Sequence, residues 1–277
     1  MHLLSLACDK GLDLQTHTPA TSIKRQSDGM WNVSTPRGVI STKKLVVANN
    51  AFASTLLPEY TEKIIPIKSI CCQISTPKDR PTPKVAGSFG LRLPGKSHDY
   101  LIQRPDGTII VGGGRDTHVH EPKEWFNNID DTTLIGSAKH YFDAFMQEHF
   151  HGWEESGAKV DHIWTGTIGY NSDSVPNVGP VPGRKKNIWI AAGFQGHGMP
   201  VIWLTMKGIA KMVGRGASWE ESGIPNPYRT TQERLDNPRS ALAERVQTIV
   251  AEHQEESSRK KAEAEVVEIV SNTDQVA

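Results

Sequence analysis

The 277-residue sequence predicts a mixed α/β (α+β) fold, in which a layer built on fully buried strands joins a separate antiparallel sheet. Three observations predict it. Leu45–Ala48 and Ile188–Ala192 are short apolar runs without alternation, the pattern of strands covered on both faces. Each ends in small polar or glycine residues at a helix start. Between them lie hairpin signals, above all Asp106-Gly107 joining Tyr100–Gln103 to Thr108–Val111.

The elements follow in order. Met1 to Lys10 reads as an amphipathic helix with Gly11 at its C-cap. Leu12–Gln15, Thr21–Lys24, Trp31–Ser34, Val39–Ser41 and Leu45–Ala48 read as strands, with turns at Asp28-Gly29 and Arg37-Gly38. Asn50 is placed to cap a short helix through Leu57, which Pro58 ends. Ile64–Ile74 belongs with the hairpin in an antiparallel sheet. Leu134, Ala138, Tyr141, Phe142 and Phe145 have helical spacing and predict one helix from Asp130 to Phe150. Asp161–Gly169, Ile188–Ala192 and a helix over Gly198–Val213 complete the pattern. From Thr230 the chain turns polar, with few apolar residues before Val266-Val267. It is expected to be a solvated, partly helical extension that folding does not require.

Composition narrows the function. The 31 basic and 31 acidic side chains cancel, and a phosphate-tracking protein would carry a basic excess, so no nucleic-acid partner is expected. No apolar run approaches the ~20 residues of a membrane-spanning helix, and no membrane partner is expected. The first residues lack the basic start and small-residue cleavage site of a secretory signal. Cys8, Cys71 and Cys72 give neither a disulfide framework nor a metal-binding spacing, which favours a reducing, cytoplasmic setting. The pairs His118/His120 and His149/His151 lack a third ligand nearby and read as solvated histidines, so no metal site is expected.

Three segments carry the chemistry. Gly193-Phe194-Gln195-Gly196-His197-Gly198-Met199 follows a buried strand and opens a helix. Glycines there let backbone approach a ligand, and a helix N-terminus offers free N–H groups to an electron-rich one. Alone, such a turn is more often punctuation than a site. Trp164 to Pro180 reads as a strand entering a polar, turn-rich loop, by itself a surface hairpin. Ala48-Asn49-Asn50-Ala51-Phe52 closes an apolar strand at its carboxyl end, where α/β sheets bind ligands.

In this order and spacing the three segments, with Thr18 to Ile23, resemble the D-amino-acid oxidase, glycine oxidase and sarcosine oxidase (DAO) family of FAD-dependent oxidoreductases, over roughly Leu3 to Gly214. The resemblance implies an FAD/NAD(P)-binding-type layer and an antiparallel substrate-binding sheet. It divides the chain into a partial FAD-binding domain (1–60), a substrate domain (61–160), a return to the FAD-binding domain (161–228) and a polar, partly disordered tail (229–277). It places Ala20 beside the adenine, Ala48, Asn49 and Asn50 beside the pyrophosphate, and Gly193 through Met199 around the flavin ring. Gln73, Tyr100, Gln103 and Trp164 would wall the substrate pocket.

The implied activity is oxidation of a C–N bond in a small amine or amino-acid-like substrate by hydride transfer to non-covalently held FAD. No catalytic side chain is singled out. Two departures qualify the implication. The family's opening strand and Gly-x-Gly-x-x-Gly turn are missing, which reads as a chain lacking its first βαβ unit and makes FAD binding by it alone doubtful. Ile168 stands where glycine oxidase-like members carry a carboxylate-clamping Arg, and no Cys lies near Trp164 or Gly193 in sequence to link a flavin. The alternative is a non-catalytic remnant or interaction protein that keeps the fold without tight FAD binding.

Overall fold

The computed structural model describes residues 2–80, 82–92, 98–184 and 186–255. In chain order the elements are α1 (His2–Asp9), β1 (Ser22–Arg25), β2 (Trp31–Thr35), β3 (Gly38–Thr42), β4 (Leu45–Val47), α2 (Ala53–Leu56), β5 (Ile64–Ser75), β6 (Ser88–Leu91), β7 (Asp99–Gln103) and β8 (Ile109–Gly112). They continue with α3 (Arg115–His118), α4 (Pro122–Trp125), α5 (Phe145–His149), β9 (Lys159–Asn171), β10 (Asn177–Pro180), β11 (Ile188–Ala192), α6 (Ile202–Arg215), α7 (Trp219–Ser222) and α8 (Gln232–Asp236). A further helix covers 241–255.

Three sheets organise these elements. β1, β2 and β3 form an antiparallel meander. β11 pairs parallel with β4, Ile188 opposite Leu45 and Ile190 opposite Val47, and antiparallel with β10. The two apolar runs thus lie side by side in one sheet, as the mixed fold requires. β11 is covered on both faces: Ile188, Ile190 and Ala192 enter a core with Trp31, Val47 and Leu57, while Trp189 and Ala191 enter another with Ile209, Met212 and Trp219. That two-sided cover explains its unbroken apolar sequence. The third sheet is antiparallel, in the order β6-β7-β8-β5-β9, and extends past residue 160 because β9 belongs to it through Asn171. One of its faces packs on Trp125, Ile135, Phe142, Phe145, Met146 and Trp153.

Several elements differ from expectation, each for a physical reason. Leu12–Gln15 is exposed and not a strand, having no neighbouring ladder among the described residues. The helix expected over Asp130 to Phe150 is broken. The Asp130 carboxylate accepts from the backbone N–H and Oγ1 of Thr132 and from Thr133 Oγ1, local bonds that compete with a helix. Only Phe145–His149 is α-helical, although Ala138, Phe142 and Phe145 among the spaced apolar residues are buried and Leu134 and Tyr141 are half-buried. α6 begins at Ile202, four residues after Gly198, because Gly198 to Val201 forms a turn. β6 and β10 are additional strands.

The polar extension is also a correction, as far as residue 255. The Thr230 Oγ1 lies 2.7 Å from the Tyr60 hydroxyl, and Leu235 is buried beside Trp31 and Leu57. Arg234 holds both carboxylate oxygens of Asp173 (2.7 and 3.1 Å) and donates to the Val175 and Pro176 carbonyls. In the last helix Leu242, Val246 and Val250, spaced by four, pack on the five-stranded sheet's core. Val266, Val267 and the rest of 256–277 lie outside the described residues.

Two outcomes follow. Leu235→Ala is expected to cost about 2–4 kcal/mol in denaturant unfolding, and a neutral result would return this segment to the solvent. Burial, and then the Arg115 guanidinium, push the His118 imidazole down to about 4. Below the ordinary histidine range the unfolded chain then binds a proton the folded one does not, so stability falls as pH drops from about 6.5 to about 4, by on the order of 3 kcal/mol. His118→Gln should flatten that part of the stability profile.

Candidate active site

The chain leaves β11 through a turn that other segments fix in place. Gly193, Gln195 and Gly196 have φ of +76°, +57° and +73°, the left-handed region. At Gly193 a Cβ would lie 2.0 Å from the Asn171 amide, so only glycine fits. The Asn50 Oδ1 accepts from the N–H of Gly193 (2.9 Å) and of Phe194 (3.2 Å). Asn171 Nδ2 donates to the Gly193 carbonyl (2.7 Å), and Asn177 Nδ2 to Asn171 Oδ1 (2.6 Å). The Gln195 N–H donates to the Gly169 carbonyl (2.9 Å), where a Cβ on Gly169 would meet Ala51 N at 2.8 Å. Asn50 therefore does not cap the following helix as anticipated. Its backbone has φ +45°, which Asn tolerates, and its side chain serves a turn far along the chain.

What the turn leaves unpaired defines what it can bind. Among the described residues the N–H groups of Gly196, Gly198 and Met199 donate to no protein acceptor. Asn49 Oδ1, Thr167 Oγ1 and Gln195 Nε2 are buried without a partner. All three belong to the segments that converge here. Gly196 is exposed, and a Cβ there would be in ordinary contact with the Tyr170 hydroxyl (3.8 Å) and Ile168 (3.9 Å). Gly198 instead prevents a clash with Ile202 and Phe194. Met199 is 90% exposed, and His197 is exposed with its Nδ1 2.9 Å from the Gln195 carbonyl. Unpaired donors and acceptors beside exposed and apolar side chains fit a flat ring with a polar edge, such as a flavin. Ala48 ends β4 exposed; Ala20 is exposed ahead of β1 and joins none of these bonds.

The five-stranded sheet presents its other face beside β9. Tyr100, Gly112, Cys71 and Trp164 stand opposite one another on β7, β8, β5 and β9. A Cβ on Gly112 would come within 2.2 Å of the Tyr100 ring, so this glycine lets Tyr100 lie across β8 and bring its hydroxyl 2.8 Å from Cys71 Sγ. Burial raises the pKa of both the Cys71 thiol and the Tyr100 phenol, which stay neutral at pH 7. Tyr100 is 50% and Trp164 37% exposed. Gln73, next along the same face, accepts from Arg104 at 3.3 Å.

Gln103 does not join them. Three residues from Tyr100, it lies on the opposite face and bonds the Val85 N–H and Gly107 carbonyl. Cys71 is the converse case, distant from Trp164 in sequence and opposite it in the sheet. The Gly112-Gly113-Gly114 triplet serves packing: after Gly112, Gly113 avoids Asp99 and Gly114 avoids Tyr141. Asp99 is buried there, accepting from the Gly114 N–H and the Tyr141 hydroxyl. Among the described residues no group of three His, Cys, Asp or Glu side chains is placed to hold a metal ion, and no helix is long and apolar enough to cross a membrane.

The chain belongs to the DAO family of FAD-dependent oxidoreductases, which it matches over residues 1–212. It is 27% identical over 199 residues to the mitochondrial dimethylglycine dehydrogenase of Homo sapiens, covering 68% of this chain and 22% of that protein. It is 27% identical over 217 residues to sarcosine oxidase subunit beta of Rhodobacter capsulatus, 74% of this chain and 48% of the relative. The structure of glycine oxidase from Geobacillus kaustophilus shares the fold with a TM-score of 0.58 at 18% identity, over 82% of this chain and 55% of the other. The chain thus spans a fifth to a half of the length of these curated relatives.

Asn50→Ala leaves two backbone N–H groups without their acceptor and is expected to cost about 2–4 kcal/mol in denaturant unfolding. Asn50→Asp, which keeps the acceptor, should recover most of it. Equal losses in the two variants would remove the hydrogen bonds from the explanation.

Proposed function

We propose that this chain forms the flavin-ring and substrate side of an oxidoreductase that oxidises a C–N bond in a small amine or amino-acid-like substrate, with FAD held non-covalently. The observation that carries the reading is the Gly193–Met199 turn, whose unpaired N–H groups are held in place by Asn50, Asn171 and Gly169. The relatives support the substrate class, since dimethylglycine, sarcosine and glycine are all small amines with a C–H bond next to nitrogen. A remnant with no cofactor would have no use for that cluster of donors, which disfavours the non-catalytic alternative.

When bound, FAD supplies a hydride acceptor for the C–H bond beside a neutral amine, and the resulting imine hydrolyses in water. The chain's part is positioning and electrostatics. The N–H groups of Gly196, Gly198 and Met199 would hold an electron-rich edge of the ring and stabilise negative charge there, as preorganised donors do. Asn49, Thr167 and Gln195 would find partners in the same group. Trp164 and Tyr100 wall the substrate, with the neutral Cys71 thiol between them. Ala20, Ala48, Phe194 and His197 complete the cofactor contacts on this reading. Gln73 extends the wall, and Gln103 supports it from behind.

FAD binding by the 277-residue chain alone is expected to be weak, because it holds no Gly-x-Gly-x-x-Gly turn to grip the pyrophosphate. Titration of FAD fluorescence should show a saturable change that Gly196→Trp abolishes by setting a bulky ring over the turn beside Tyr170 and Ile168. An unsaturable titration, or the same affinity in Gly196→Trp, would remove this turn from the cofactor site.

A further inference from the structure

The segment after β8 brings a cation toward the Gly193–Met199 turn. β8 ends at Gly112, and the Gly113 N–H donates to the Ile70 carbonyl at 3.4 Å, so the chain continues along β5. It rejoins the same edge of β5 where Phe126 bridges Ile67. Across the other edge, Ile67 stands opposite Ile168, and Ile65 opposite Tyr170, on β9. Strand alternation puts Ile168 and Tyr170 on the face of β9 that bears Trp164. A Cβ on Gly196 would lie 3.8 Å from the Tyr170 hydroxyl and 3.9 Å from Ile168, so both side chains border the turn. Arg115 opens the excursion between Ile70 and Ile67, one strand away from them.

Among the described residues the Arg115 guanidinium donates to no protein acceptor and has no carboxylate within ion-pair distance. It is half-buried and lies 5.4 Å from the centre of the Trp125 ring, itself 3% exposed. Burial, and then the charge of Arg245, lower its pKa, while the Tyr170 phenol and Asp116 act in the opposite sense. Tyr170 and a second cation therefore both neighbour it. A guanidinium cannot shed its proton to relieve burial, and charges withdrawn from water are ordinarily paired. Here the counter-charge has to come from a ligand. The planar fork of N–H donors matches a carboxylate, which it can hold with two parallel hydrogen bonds. No other free cation competes on this face: the row of Trp164, Cys71 and Tyr100 is neutral, and Arg104 pairs with Asp106.

We propose that Arg115 binds the substrate through its carboxylate, which restricts the C–N oxidation to amino acids and N-substituted amino acids. This rests on the flavin reading of the same site, and the experiment separates the two. Sarcosine and sarcosinamide, which differ only at the carboxylate, are titrated against the full chain without FAD, at neutral pH and constant ionic strength. Broadening of the N-methyl proton signal reports binding in every variant. Saturable binding of sarcosine is expected, about tenfold or more tighter than that of the amide, with the preference lost in Arg115→Met. Absence of saturable sarcosine binding, equal binding of the amide, or an undiminished preference in Arg115→Met overturns the proposal. If Arg115→Met does not fold, Arg115→Lys decides the matter. A point charge without the planar fork must weaken sarcosine by about threefold or more, and unchanged affinity overturns the assignment. FAD is then titrated against the parent chain and Arg115→Met, and the two are expected to agree. Loss of FAD affinity in the variant would mean that the guanidinium holds the cofactor, and overturns the proposal. A flat FAD titration beside an intact carboxylate preference defeats the flavin reading and supports the Arg115 site.

Discussion

The amide of Asn50 joins two parts of the chain that meet nowhere else with such economy of atoms. One side-chain oxygen takes the N–H groups of Gly193 and Phe194. On the other side of the same peptide, Asn171 grips the Gly193 carbonyl from the end of β9. The turn after β11 is therefore clamped between a segment following β4 and the longest strand of the antiparallel sheet. Gly193 and Gly169 have no side chain because these approaches leave no room for one. Without the clamp the N–H groups of Gly196, Gly198 and Met199 would have no fixed direction, and the sheet bearing Trp164 would have no fixed distance from them. Preorganisation of this kind is what gives backbone dipoles their value in a site.

A comparable logic shapes the sheet face that bears Tyr100 and Trp164. Gly112 gives way to the Tyr100 ring, and the hydroxyl then meets Cys71 on the neighbouring strand. The row is aromatic at both ends and neutral throughout, so on the proposed reading it would shape and desolvate a substrate without fixing a charge. Arg104, the cation that reaches this face through Gln73, already pairs with Asp106 at 3.2 Å.

What could be read in the sequence was what local pattern determines. The β11 strand is apolar throughout because both its faces are buried, and Asp106-Gly107 turns a hairpin by its own backbone preferences. Roles set by distant partners were not readable in the same way. Asn50 looks like a helix cap until Gly193 is found beside it. The run from Leu134 to Phe145 has helical spacing, yet short bonds from Asp130 divert its start while its apolar residues reach the core regardless. Two signals were present and outweighed. Strand alternation alone separates Gln103 from Tyr100, and Leu242, Val246 and Val250 form a stripe within a segment whose average composition is polar.

The route of the chain after Thr230 bears on how the molecule can move. Leu235 is buried in the core beside β4 and β11, and eleven residues later Val246 enters the core of the five-stranded sheet. Arg234 ties the start of this path to the loop after β9. A single short stretch is thus anchored on both layers and acts as a tether across the seam between them. Opening the layers like a clamshell would require pulling one of those anchors from its core.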